Sequence, residues 1–311
     1  MRNYYYIIIA FLFSLIGTGL FAGNRFSVSS SETNEPILFV PHWKVGDVLN
    51  VSALLEINLK SSSGNWACRC ENMQRLVVTS CQEKDFVLEW YATGFLINMF
   101  VDSPGPLFEW ADKLQKNDTL RIQLLVNKFG LITDILNKGE VKEYSVSILN
   151  RMINSFEASD FKPFNRDKIK GELEKTLAAA EMSDKFPFFY VRNLLLFFLP
   201  YNKSFDIKQP KSDIEYKELP TLNFSVPIEI LVKLSPIKPQ IYRIQTSNLV
   251  QPFVLWRIKP KDYLQLDFSF SENTDIEYDS ASSWMKRADY KYHFEREEIS
   301  IQRHILFEHV N

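Results

Sequence analysis

Asp47-Val-Leu-Asn-Val-Ser-Ala-Leu-Leu-Glu-Ile-Asn-Leu-Lys60 sets Leu49, Val51, Ala53, Leu55, Ile57 and Leu59 at alternate positions, with Asn50, Ser52, Glu56, Asn58 and Lys60 between them. Successive side chains of a strand point to opposite faces. Period two over this length therefore predicts one long strand with an apolar face and a wet face.

Shorter runs with strand character follow at Gln74 to Cys81, Phe86 to Ala92 and Phe95 to Val101, and then Leu120 to Val126 turns through Asn127-Lys-Phe-Gly130 into Leu131 to Leu136. The links between these runs are too short for a crossover helix, so the strands form an antiparallel meander. The period changes at Gly139. Val141, Tyr144, Ile148, Leu149, Met152, Ile153 and Phe156 recur at threes and fours, the stripe of an amphipathic helix.

A second helix is predicted over Arg166 to Met182, with Ile169, Leu173 and Leu177 on its buried side. A third is predicted from Ser183 or Asp184 to Leu199, ended by Pro200. It is apolar nearly all round, but too short and too interrupted by Arg192 and Asn193 to cross a membrane. After a polar link over Tyr201 to Pro220, period two returns at Leu222, Phe224, Val226, Ile228, Ile230, Val232 and Leu234. Pro227 lies on the other face and hints at an edge or a bulge. Further strands are expected at Ile241 to Thr246, Phe253 to Ile258, Tyr263 to Phe270, Tyr290 to Phe294 and Ile299 to Phe307, the last interrupted by Arg303.

The expected class is α+β: a large antiparallel sheet in two meander halves, curved or a partly open barrel, with a three-helix insertion between the halves. The halves are residues 37–138 and 201–311, and the insertion is 139–200. Residues 1–22 have a basic Arg2, an uncharged run from Tyr4 to Ala22 and small residues at its end, the layout of a secretory signal peptide. Residues 23–36 then form a flexible lead-in. The expected localisation is export, to the periplasm or the extracellular space, with no membrane span once the signal is removed. The alternative is a tether by an uncleaved N-terminal anchor.

With a formal net charge of −2 and both signs interspersed, nothing in the composition calls for nucleic acid or an anionic surface. No Gly-x-Ser-x-Gly, phosphate-cradling glycine loop or His-Glu-x-x-His occurs, and only 10 glycines are present. No catalytic residue, metal ligand set or cofactor is therefore assigned, and the chain is read as a non-enzyme, with an uncharacterised hydrolase as the third reading. His304 and His309 are an odd number apart, which sends them to opposite faces of a strand.

Cys68, Cys70 and Cys81 are disulfide candidates, as suits an exported chain. Cys70 could face Cys81 if the chain reverses between them, Cys68 is an equal partner, and free buried thiols are the alternative. The 25 phenylalanines suit a β-rich body or an apolar pocket. Phe186, Phe188, Phe189, Tyr190, Phe197 and Phe198 form the candidate apolar wall. The expected function is that of an exported binding protein holding a lipid or other apolar small molecule between sheet and helix. The alternative is a structural component of the cell envelope with a protein partner and no small ligand.

Overall fold

A computed structural model describes residues 36–61, 64–83, 85–93, 118–156, 166–183, 187–188, 191, 194–201, 203–222, 224–251 and 267–310. The opening strand is found as β2 (Val48–Ser61), after a two-residue β1 (Ile37–Leu38). Then come β3 (Gly64–Cys81), β4 (Asp85–Thr93), β5 (Thr119–Asn127) and β6 (Ile132–Ile135). The insertion holds α1 (Lys138–Phe156), α2 (Arg166–Met182) and the single turn α3 (Leu195–Phe198). The chain continues as β7 (Ser204–Phe205), β8 (Lys211–Glu218), β9 (Ser225–Lys238), β10 (Ile241–Val250), β11 (Ser269–Asp279), β12 (Trp284–Arg296) and β13 (Ile299–His309).

Eleven of these strands pair in one open antiparallel sheet, in the order β6-β5-β4-β3-β2-β13-β12-β11-β10-β9-β8. Each half is a plain meander, and the two are joined by β2 against β13, with Leu55 opposite Ile305 and Ile57 opposite Arg303. The edges are protected in different ways. β6 is only four residues long, and β8, Lys-Ser-Asp-Ile-Glu-Tyr-Lys-Glu, carries Lys211, Asp213, Glu215 and Lys217 along one face and Glu218 on the other, which discourages another chain from pairing there. Five charges in eight residues hide β8 in the sequence, where it reads as a polar link.

Two other expectations are corrected. The third helix is not continuous, because Val191 and Leu194 sit in turns and only Leu195–Phe198 is helical beyond them. Pro227 marks neither an edge nor a bulge. It lies on β9, inside the sheet, at the point where β10 ends: Val250 is opposite Ile228, and the next link is the Gln251 N–H donating to the Pro227 carbonyl at 2.9 Å. The strand runs predicted at 95–101 and 253–258 lie outside the described residues, as do residues 1–35. Among the described residues no helix is long and apolar enough to cross a membrane.

One face of the sheet carries the core. Leu49, Val51, Leu76, Leu88, Trp90, Ile122 and Leu124 are almost fully buried there, beneath Val141, Ile148, Leu149 and Met152 of α1. Asn137 fastens that helix to β5: its side chain accepts from the Gln123 N–H at 2.8 Å and donates to the Arg121 carbonyl at 2.9 Å. Trp43 anchors the N-terminal segment by stacking on Trp284, with ring centroids 4.6 Å apart, and by donating from Nε1 to the Ser283 carbonyl at 2.9 Å. Tyr201 donates to the same carbonyl. Gly130, at φ +81°, turns β5 into β6 directly against the Tyr201 ring, where a methyl group has no room.

Candidate functional site

The residues expected to form an apolar wall fall into three sets. Phe197 and Phe198 are buried in the main core, Phe197 against Phe307 at 4.7 Å between centroids and Phe198 against Trp43 at 6.1 Å. Phe188 is half-buried, with the Lys138 ammonium 5.3 Å from its ring centre. Phe186, Phe189 and Tyr190 lie outside the described residues. The two fully placed phenylalanines are thus enclosed by protein rings.

The cysteines share one strand. The chain does not reverse between Cys70 and Cys81: both lie on β3, eleven positions and about 36 Å apart at ordinary strand rise, far beyond disulfide reach. Cys81 is a free, exposed thiol. The backbones of Cys68 and Cys70 are paired with Ile57 and Leu55.

A different constellation emerges from the register of the second half. Asn248 of β10 is opposite Glu272 of β11, Glu272 is opposite Tyr292 of β12, and Tyr292 is opposite Arg303 of β13. Directly opposed residues project to the same face, so four chemistry-bearing side chains form one row across four strands. The face is the inner one, since Asn248 and Tyr292 are buried and the row continues into buried Ile57.

The Glu272 carboxylate is the hub. Its Oε2 accepts from Asn248 Nδ2 and from Lys217 Nζ, each at 2.5 Å, and its Oε1 accepts from the Tyr290 hydroxyl at 3.1 Å. Lys217 belongs to β8, three strands away, so the pair closes only because the sheet curls toward this face. Burial, and next the nearby Glu272 charge, hold the Tyr290 phenol well above its ordinary value, which keeps it a proton donor. The Arg303 guanidinium sits 5.2 Å from the centre of the Tyr292 ring, in cation–π range.

The row separates two apolar regions. On one side lies the main core, with Leu234, Ile244, Ile276 and Ala288; on the other is a smaller cluster of Leu219, Phe224, Val226, Ile228, Tyr292 and Phe294, with Phe268, Phe270 and Ile301 packed against it. Tyr290 packs against both. A belt of charge and hydroxyl between two greasy surfaces can hold a molecule that is itself polar at one place and apolar elsewhere.

The outer face carries a separate network. His304 sits between Glu56, 3.0 Å from Nδ1, and Asp289, 3.0 Å from Nε2, with Arg69 on Glu56 and Arg287 and Lys291 on Asp289. His304 is half-buried within this network, and His309 is exposed at the end of the strand. Among the described residues no group of three or more His, Cys, Asp or Glu is placed to hold a metal ion.

The row was only partly legible in the sequence. Arg303 is visible as a charge breaking an apolar alternation, and Tyr290 and Tyr292 stand in a recognised strand. Asn248 and Glu272 fall just beyond the ends of the runs that could be recognised as strands. No known protein family matches the chain, and no curated protein is detectably similar to it.

Proposed function

We propose that this is an exported, non-enzymatic binding protein whose ligand is a lipid or other largely apolar molecule, seated on the inner face of the second half of the sheet. The observation that carries the reading is the Lys217–Glu272–Asn248–Tyr290 cluster set between two hydrophobic clusters. Lys217 and Glu272 are half-buried, and ionic groups taken partly out of water are an expensive way to fill space unless they do something else. The seat differs from the wall expected on the insertion, because Phe197 and Phe198 are already enclosed by Phe307 and Trp43. Export rests on the N-terminal 22 residues.

The experiment is to express residues 24–311 in an exporting host, purify without detergent, and run native mass spectrometry with organic extraction. A stoichiometric apolar adduct is the expected result. Protein that is free of adduct and takes up no lipid on incubation overturns the reading. It then favours the second one, a structural envelope component, which the enclosure of Phe197 and Phe198 in ordinary core supports.

A further inference from the structure

We infer that the polar row selects ligands by a hydrogen-bond donor, and that the preferred class is an uncharged, hydroxyl-bearing amphiphile. The inference rests on the binding role proposed above and adds the chemistry of the ligand's polar end.

It starts from Asn248. This side chain is 94% buried, by its 6% exposure. Its Nδ2 donates to Glu272 at 2.5 Å, while its Oδ1 is buried and accepts from nothing among the described residues. The orientation of the amide is dictated by chemistry, since a carboxylate only accepts and the reverse orientation sets two acceptors face to face. A buried acceptor without a donor is costly, and native proteins rarely leave one. The group that completes it must bring an O–H or N–H.

The surrounding charges narrow the class. Lys217 and Arg303 are cationic and Glu272 is the one anion of the row, already neutralised by Lys217 at 2.5 Å. With Glu272 already paired, an ammonium head brings a further charge into an apolar surface at a desolvation cost. A carboxylate head presents only acceptors to Asn248 Oδ1 and Glu272. A hydroxyl satisfies Asn248 Oδ1 and brings no charge into a site that is part of an apolar face. The Phe224, Phe268, Phe270, Phe294 and Ile301 side of the row then takes the alkyl or ring portion.

Four ten-carbon probes test this on the mature chain: decanol, its methyl ether, decanoate and decylammonium, compared by isothermal titration at neutral pH below their aggregation limits. The expected result is that decanol binds about tenfold or more tightly than each of the other three, the gap to the ether reporting the single donated hydrogen bond. Binding of the probes with equal affinity, or with decanoate or decylammonium preferred, overturns the inference and leaves the binding role standing. Failure of all four to bind counts against the binding role itself. A second measurement uses Asn248→Ala, checked for an unchanged melting profile. The alcohol-to-ether ratio is expected to fall to about one, and a ratio kept at tenfold contradicts the assignment to Asn248.

Discussion

The two halves of the sheet are built alike and differ in what they turn inward. In the first half, β2 to β5 present Leu, Val, Ile and Trp to the overlying helix, and the polar groups that intrude are satisfied locally: Trp90 donates to Gln74, which in turn donates to Asn72, each at 3.2 Å. In the second half, an Asn, a Glu, a Tyr and an Arg stand in one row between two apolar clusters, and a lysine reaches over from the edge strand. The first arrangement is what stability alone selects. The second gives up apolar burial and leaves a buried acceptor open, which points to a role other than holding the fold.

The largest effects are therefore expected in the main core, in the first half and where the insertion packs on the sheet. Phe197→Ala empties a site enclosed by Phe307 and other core groups and is expected to cost about 3–5 kcal/mol in urea unfolding. An effect below about 1 kcal/mol shows that this ring lines open space, which restores the insertion as the ligand wall and erases the contrast. Next is Gln74→Leu, which removes the Gln74 acceptor of the buried Trp90 N–H and is expected to cost about 1–3 kcal/mol without changing ligand uptake.

How much of this contrast the sequence discloses follows from where apolar periodicity is strong. Val48–Ser61 and the α1 stripe declare themselves because one face is buried and the other wet. β8 does not, because its alternate positions 211, 213, 215 and 217 carry charge where a buried face would carry apolar side chains. The third helix is shorter than the sequence suggests because an all-apolar run such as Phe186 to Leu199 looks the same as helix or as buried turns, and Val191 and Leu194 are turns. The row was hidden for a stricter reason: Asn248, Glu272 and Arg303 are far apart along the chain and meet only through strand register, which no local pattern states.

A smaller effect sharpens the comparison by pH. On the outer face of β4, Glu89 accepts from the Tyr91 hydroxyl and from Gln123, and these bonds hold its carboxyl below the usual range. A carboxyl lowered on folding stabilises the protein fully above its unfolded value, and that contribution fades as pH falls through the lower folded value. Tyr91→Phe is expected to cost about 1 kcal/mol at pH 7 and less at pH 3.5, read from melting curves of both proteins at both values. An equal penalty at the two pH values contradicts the sign.

The smallest expected change in stability belongs to the row itself. Lys217→Met with Glu272→Gln removes both charges of the inner ion pair, whose side chains are 27% and 18% exposed, and leaves an amide that accepts from Tyr290 and donates to Asn248 Oδ1. Removing such a pair together is typically neutral or stabilising, whereas removing one partner is not. Urea unfolding of this double variant, run beside extraction of its bound lipid, bears most directly on the claim that the second half is kept polar for binding. Stability within about 1 kcal/mol of the parent, or higher, together with loss of the adduct is the predicted result; a large loss of stability with the adduct retained contradicts it and makes the row part of the scaffold.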